Sequence, residues 1–335
     1  RERDAAGDVV SRRAWPALAL VSVLAVGGCG IPDKVVGLHP APTENAGAAA
    51  FTASAARQIS QRALDVAHEA MTGTDKDASA RKAALVGPAL RLAEVPDKYV
   101  AEGAASTFTL PPSATLLGVS RGRDWPRYIL TTAQDDGIQS LFVLVQPDAA
   151  TPFKLQTTVP MEAGASVPAL PKLADGVEVV TSGTGLVASP QKVVDAYAAA
   201  LTYPTKSSPG SSVLDLGDAF AKGILASSAD QAKALGKLGT FRRGHSAFDQ
   251  DTVSFELADG SALSFVQLSR RDRLTPTSKA RELVLSSALA KLAGTRKVTE
   301  GVTLDWLETL AIVIPTTGKA HIIAASEQLR DITAK

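Results

Sequence analysis

Of 335 residues, one is cysteine (Cys29), one is asparagine (Asn45) and two are methionine; aromatic residues make up 5%. A lone cysteine excludes a disulfide framework, a thiol-rich zinc finger and a cysteine-ligated iron–sulfur cluster. Charge of one sign is missing as well: 35 Lys and Arg stand against 34 Asp and Glu. That balance lacks the electrostatic footprint of a nucleic-acid binder, so no nucleic-acid partner is expected. No H-E-x-x-H occurs, and His39, His68, His245 and His321 are far apart in sequence. Nothing in the sequence supports a metal site, and no cofactor is expected. The 45% apolar content with 21% charge describes a chain that can bury a core, and its length suggests two domains.

The one cysteine closes the one leader-like run. Arg12 and Arg13 precede an apolar stretch from Ala14 to Val26, which leads into Gly27-Gly28-Cys29. A basic start, an apolar run and a small-residue exit form the layout of a secretory signal. The run is shorter than the ~20 apolar residues a spanning helix needs. Val26-Gly27-Gly28-Cys29 resembles the lipobox of bacterial lipoproteins. That resemblance implies a diacylglyceryl group on the Cys29 thiol, cleavage between Gly28 and Cys29, and a further acyl chain such as palmitate. Two chains suffice for stable anchoring. The expected location is therefore the extracytoplasmic face of the cell membrane, with the lipid bilayer as a partner through acylated Cys29. Translation is expected to start at Val10, which gives a leader of ordinary length. Residues 1–28 hold four basic and three acidic residues, leaving 31 of each from Cys29 on.

The rest of the chain divides by composition and period. Residues 1–28 form the signal peptide, and 29–50 read as a Pro-, Gly- and Ala-rich tether. Residues 51–185 form a first α+β domain and 186–335 a second. Phe51, Ala55, Ile59, Ala63, Val66 and Ala70 share one helix face. A second helical stretch covers 78–93, kinked or split at Gly87-Pro88. Strands follow at 127–133, 138–146 and 153–159, with an Asp136-Gly137 turn and a short strand at 177–181. Ser189-Pro190 opens a helix carrying Val193, Val194, Tyr197 and Leu201. Helices are expected at 214–225 and 229–238, and strands at 252–258 and 262–269. A helix at 279–292 precedes strands at 303–314 and 321–325. Helices before antiparallel hairpins, twice over, predict an α+β fold class in which helices pack on a curved antiparallel sheet. This order, with Gly87-Pro88-Ala89-Leu90 and the long strands, resembles the cone-shaped nuclear-transport-factor-2-like fold. It is also similar to actinobacterial secreted lipoproteins with two such domains. The resemblance brings no activity with it.

Three patterns invite chemistry. Gly183-Thr184-Gly185 follows a short strand, but a phosphate-binding turn needs the helix to open inside the motif, and here it opens at Ser189-Pro190. Ser189-Pro190-Gln191-Lys192 fits S-x-x-K without the companion motifs of penicillin-binding proteins, and capping accounts for Ser189 and Pro190. The densest polar stretch runs from Arg242 to Asp251. Arg243, His245, Asp249 and Asp251 there are the candidate acid–base residues; a solvated loop or edge strand is the simpler reading. Arg270-Arg271-Asp272-Arg273 reads as a solvated strand end, and Trp125 and Trp306 as core or rim packing. The expected role is a non-catalytic binding, scaffold or accessory protein of the cell envelope, with an envelope protein as partner. The alternative is a small-molecule-binding protein or enzyme with a cone-shaped pocket in one domain.

Overall fold

The computed structural model describes residues 47–72, 77–102, 113–205 and 212–335, with side chains described up to Val100 in the second stretch. Val26, Gly27, Gly28 and Cys29 lie outside the described residues. Four helices come first: α1 (Ala53–Thr72), α2 (Ala78–Ala84), α3 (Gly87–Ala93) and α4 (Asp97–Glu102). They precede β1 (Thr115–Val119), β2 (Arg127–Asp135), β3 (Ile138–Gln146) and β4 (Lys154–Pro160), an antiparallel sheet in the order β1-β2-β3-β4. Then come α5 (Pro190–Leu201), α6 (Ala219–Leu235), β5 (Gly239–Ala247), a 3₁₀ turn at Asp249–Asp251, β6 (Val253–Glu256) and β7 (Ala262–Pro276). The chain ends with β8 (Leu283–Val284), α7 (Ser287–Ala293), β9 (Lys297–Val298), β10 (Val302–Ile314) and β11 (His321–Ala334). The second sheet has the order β11-β10-β7-β5, and β6 continues the β5 edge along β7. The α+β class holds.

Strand alternation sorts the side chains into layers. In the first sheet Ile129, Phe142, Leu144 and Leu155 face Leu64 and Ala67 of α1. Their neighbours Leu130, Leu141, Val143 and Val159 face the other way, against Phe255, Leu263, Phe265, Ala311 and Val313 of the second sheet. The far side of that sheet, with Val266, Leu268, Leu310 and Ile312, is covered by Val193, Tyr197 and Leu201 of α5 and Ile224 of α6. The layers run helix, sheet, sheet, helix. Each fully buried Leu or Phe contributes roughly 1.5–3 kcal/mol.

The boundary expected at 185/186 separates two halves that pack on each other. Asn45–Lys335 form one compact unit, because the two halves share the apolar layer between their sheets. The halves are also tied by polar contacts. Arg91 of α3 reaches Asp251 at 2.5 Å and Gln267 at 2.6 Å. Gly87, at φ +55°, lets α3 approach: a Cβ there would stand 2.9 Å from Asp251 Oδ1.

Other boundaries move for local reasons. Ala49 and Ala50, read as tether, already donate to Ala174 O and Ser120 O. The 78–93 stretch does split, with Leu85 in extended backbone bridged to Leu155. Residues 177–181 make two isolated bridges, Ser120↔Val177 and Val179↔Phe255, instead of a ladder strand. The two helices expected at 214–238 are the single α6, capped by Asp218. The helix expected from 279 starts only at Ser287: Ser286 caps it, and Leu285 before it is held extended by Arg296 O. β7 and β11 run far past 269 and 325, because charged and polar residues continue their alternation.

Candidate functional site

The polar stretch at 242–251 opens as an edge strand, as the simpler reading allowed, and is neither a solvated loop nor a single site. Its first part is β5, where Phe241 and Arg243 point inward while Arg242 and Gly244 are exposed. β5 pairs with β7 so that Arg243 lies opposite Asp272 and His245 opposite Arg270. β10 places Trp306 opposite Arg270 and Glu308 opposite Leu268 on the same face. The result is a buried ionic cluster at one end of the helix-covered side. Arg243 binds Asp272 through two parallel bonds of 2.6 and 2.8 Å. Its remaining donor reaches Ile224 O, Ser227 and Ser228 of α6. Arg270 pairs with Glu308 at 2.7 Å, with Asp272 and with Glu327. His245 Nε2 stands 3.3 Å from Glu308 Oε2, and both side chains are 0% exposed.

The electrostatics follow from that packing. Burial pushes the Glu308 carboxyl up, but His245 and Arg270 outweigh it and hold Glu308 below its ordinary value. Burial opposes charge on Arg270, and Glu308, Asp272 and Glu327 overcome it. Tyr197, beside this cluster, has its phenol pushed far up by burial and then by Asp218 and Glu308. A His–Glu pair is the right chemistry for proton transfer, but no substrate reaches side chains sealed on every side. What the cluster does is bind β5, β7, β10 and β11 together under α6. Arg270 and Asp272 therefore belong to the core, correcting the solvated strand end expected there.

The other two candidates point elsewhere. Asp251 is held by Arg91, whose guanidinium also lies 4.0 Å over the Phe248 ring. Asp249 accepts from Gln191 Nε2 at 2.9 Å, at the start of α5. Arg243 and His245 thus come together, while Asp249 and Asp251 separate from them and from each other. The carboxylate that His245 meets is Glu308, which the sequence reading missed. Its signal was an acid inside the otherwise uncharged run 306–314 of β10. Ser189 Oγ accepts from Lys192 N as a helix cap, as the capping reading of S-x-x-K requires.

Asp249 lines a cleft of about 850 Å³ where the halves meet. One wall is the β1–β2 connection with Arg121, Asp124 and Trp125; the other is the start of α5 with Gln191. Residues 178–181 cross between them, bonded to Ser254 O and Glu256 N. Trp125 is 37% exposed, and the Arg127 guanidinium sits 4.0 Å over its ring. Trp125 thus lies at the rim of the cleft, one of the two packing positions expected for it, and not in the core. Arg121 pairs with Glu178 at 3.3 Å. Burial raises the Tyr128 phenol. Among the described residues no group of His, Cys, Asp and Glu could hold a metal ion, and no helix is long and apolar enough to cross a membrane.

A family model described as a domain of unknown function, DUF8094, matches residues 115–333. The chain belongs to the DUF8094 family. The DUF8094 match begins at β1 and ends inside β11, so both sheets, the ionic cluster and the cleft fall within it, and α1–α4 precede it. No curated protein and no solved structure matches the chain.

Proposed function

We propose that this DUF8094 protein is an extracytoplasmic lipoprotein, anchored through Cys29, that acts by binding as a scaffold or accessory protein of the cell envelope. Val26-Gly27-Gly28-Cys29 after the apolar run supports the anchor. The two α+β halves, 51–185 and 186–335, are read as two cone-like domains fused back to back through a common apolar layer. The observation that carries the binding role is the fate of the best acid–base pair: His245 and Glu308 are spent inside the core. The cleft at the seam favours a second element in that reading, recognition of a small molecule or of a partner's protruding group.

Metabolic labelling with a fatty-acid analogue tests the anchor. Wild type should take up label and sit in the membrane fraction, and Cys29→Ala should lose both. Equal labelling of the two defeats the anchor. Crosslinking in the native membrane followed by pull-down tests the binding role; His245→Gln should capture the same partner as wild type. Loss of capture by a folded His245→Gln protein would return His245 to the function.

A further inference from the structure

The cleft between the β1–β2 connection and the start of α5 has a chemistry of its own, and the following rests on the binding role proposed above. We propose that it binds a neutral, hydroxyl-rich ligand, a short oligosaccharide, with one sugar ring laid on Trp125.

Size and charge narrow the class first. About 850 Å³ lies within the roughly 300–1,000 Å³ of small-ligand sites. The lining carries Asp124, Glu178 and Asp249 against Arg121, and even with Arg127 on one face of Trp125 acids outnumber bases, so phosphates and carboxylates are disfavoured. The inner charges are already answered: Glu178 by Arg121, and Asp249 by Gln191. Asp124 is exposed at the lip with no partner among the described residues. The cleft therefore offers a cation little beyond that lip, while it offers hydroxyl groups several acceptors.

Backbone geometry argues against an added peptide strand, which needs a free edge. Val177 N and Val180 N are bonded to Val119 O and Ser254 O. Arg121 N and Tyr128 N are bonded to Val177 O and the Ser120 hydroxyl. What remains is side-chain chemistry around an aromatic plate. A sugar ring has an apolar C–H face and a polar rim, and the cleft has the complement. Trp125 presents an exposed indole braced by Arg127, which limits the ordering cost of binding. Asp124 next to it in the chain and the second carboxylate oxygen of Asp249, which lines the same cleft, are acceptors, and charged acceptors make the stronger bonds.

Calorimetry on the detergent-solubilised full-length protein tests this. The probes are maltotriose, cellotriose, mannotriose and the N-acetylglucosamine trimer at millimolar concentration, with trilysine and triglutamate as charged comparators. At least one trisaccharide should bind, and triglutamate should not. Trp125→Ala should weaken binding at least about tenfold, and Asp124→Ala about threefold to tenfold. Both positions are exposed, so both variants should keep the wild-type circular dichroism spectrum and melting midpoint. Failure of all four trisaccharides overturns the proposal, as does unchanged affinity in Trp125→Ala. Trilysine binding tighter than every sugar overturns the ligand class. None of these results touches acylation at Cys29 or partner capture, so this inference can fail while the binding role stands.

Discussion

The two sheets are closed by helices in different ways. The helix side of the first sheet is apolar where α1 covers it, with Ile129, Phe142, Leu144 and Leu155 against Leu64 and Ala67. The helix side of the second sheet is apolar only towards the β10–β11 turn, with Leu310, Ile312 and Ile322. Towards the other end the same face carries Arg243, Arg270, Asp272, Glu308 and His245. There α6 supplies Ser227 and Ser228 where α1 supplies Leu64. The difference concerns register. Apolar side chains tolerate small slips against a helix. A one-residue slip of β5 along β7 would turn Arg243 and His245 out to solvent and leave Asp272 and Glu308 buried without them.

The largest effect should come from removing the hub of the ionic end. Arg270→Met leaves Glu308 and Asp272 buried with one partner fewer, and should cost about 3–5 kcal/mol in urea unfolding at neutral pH. Leu144→Ala on the apolar side should cost about 2–5 kcal/mol by cavity formation. The comparison breaks if Arg270→Met costs no more than an exposed substitution such as Arg273→Met.

Acid sharpens the contrast. Glu308 is held below its ordinary value near 4.5. Its contribution is therefore complete above that value and is lost as pH falls through the lower, folded-state value. Glu308→Gln should remove about 1.5–3 kcal/mol at neutral pH and flatten the acid limb of a stability–pH curve. Leu144→Ala should shift that curve down in parallel, since no proton is involved. A Glu308→Gln curve parallel to wild type would mean that His245 and Arg270 do not hold the carboxylate.

Much of this is legible in the sequence. The helix-then-hairpin order, the Asp136-Gly137 turn, the Gly87-Pro88 break and the Ser189 cap all follow from local rules, and all appear. What escaped was non-local. Arg270 and Asp272 read as solvated because charge normally is; their burial depends on Arg243 and Glu308, 27 and 38 positions from Arg270 in the sequence. Period-2 alternation with exposed Arg271 and Arg273 was present, but no local rule says which face of a charged strand turns inward. The layer shared by the two halves escaped for the same reason. Leu130 and Leu141 look alike whether they face a helix or another sheet. The cleft is a property of the seam, so Trp125 and Gln191, 66 residues apart, carried no common signal.

The smallest expected effect tests whether the seam is tuned as tightly as the cluster. Asp218 caps α6 by accepting from Ala221 N at 2.6 Å, and Glu162, just past β4, accepts from Ala219 N and Phe220 N. Two carboxylates thus share one helix start. Burial, more than its backbone bonds offset, raises the Asp218 carboxyl above its ordinary value near 3.8, and Glu162 adds to the rise. The sign is opposite to that of Glu308. The folded state binds the Asp218 proton more tightly than the unfolded state does, so stability falls as pH climbs from 3.8 through the raised value, and the deficit persists at neutral pH. Asparagine caps about as well as aspartate without the charge. Asp218→Asn should therefore leave neutral-pH stability unchanged or raise it by up to about 1 kcal/mol, whereas Asp218→Ala should lower it by about 0.5–2 kcal/mol. Thermal melts of the two variants at neutral pH decide it. If Asp218→Asn costs as much as Asp218→Ala, the charge itself is wanted at the α6 start, and the seam, like the ionic end of the second sheet, is held by ionised groups.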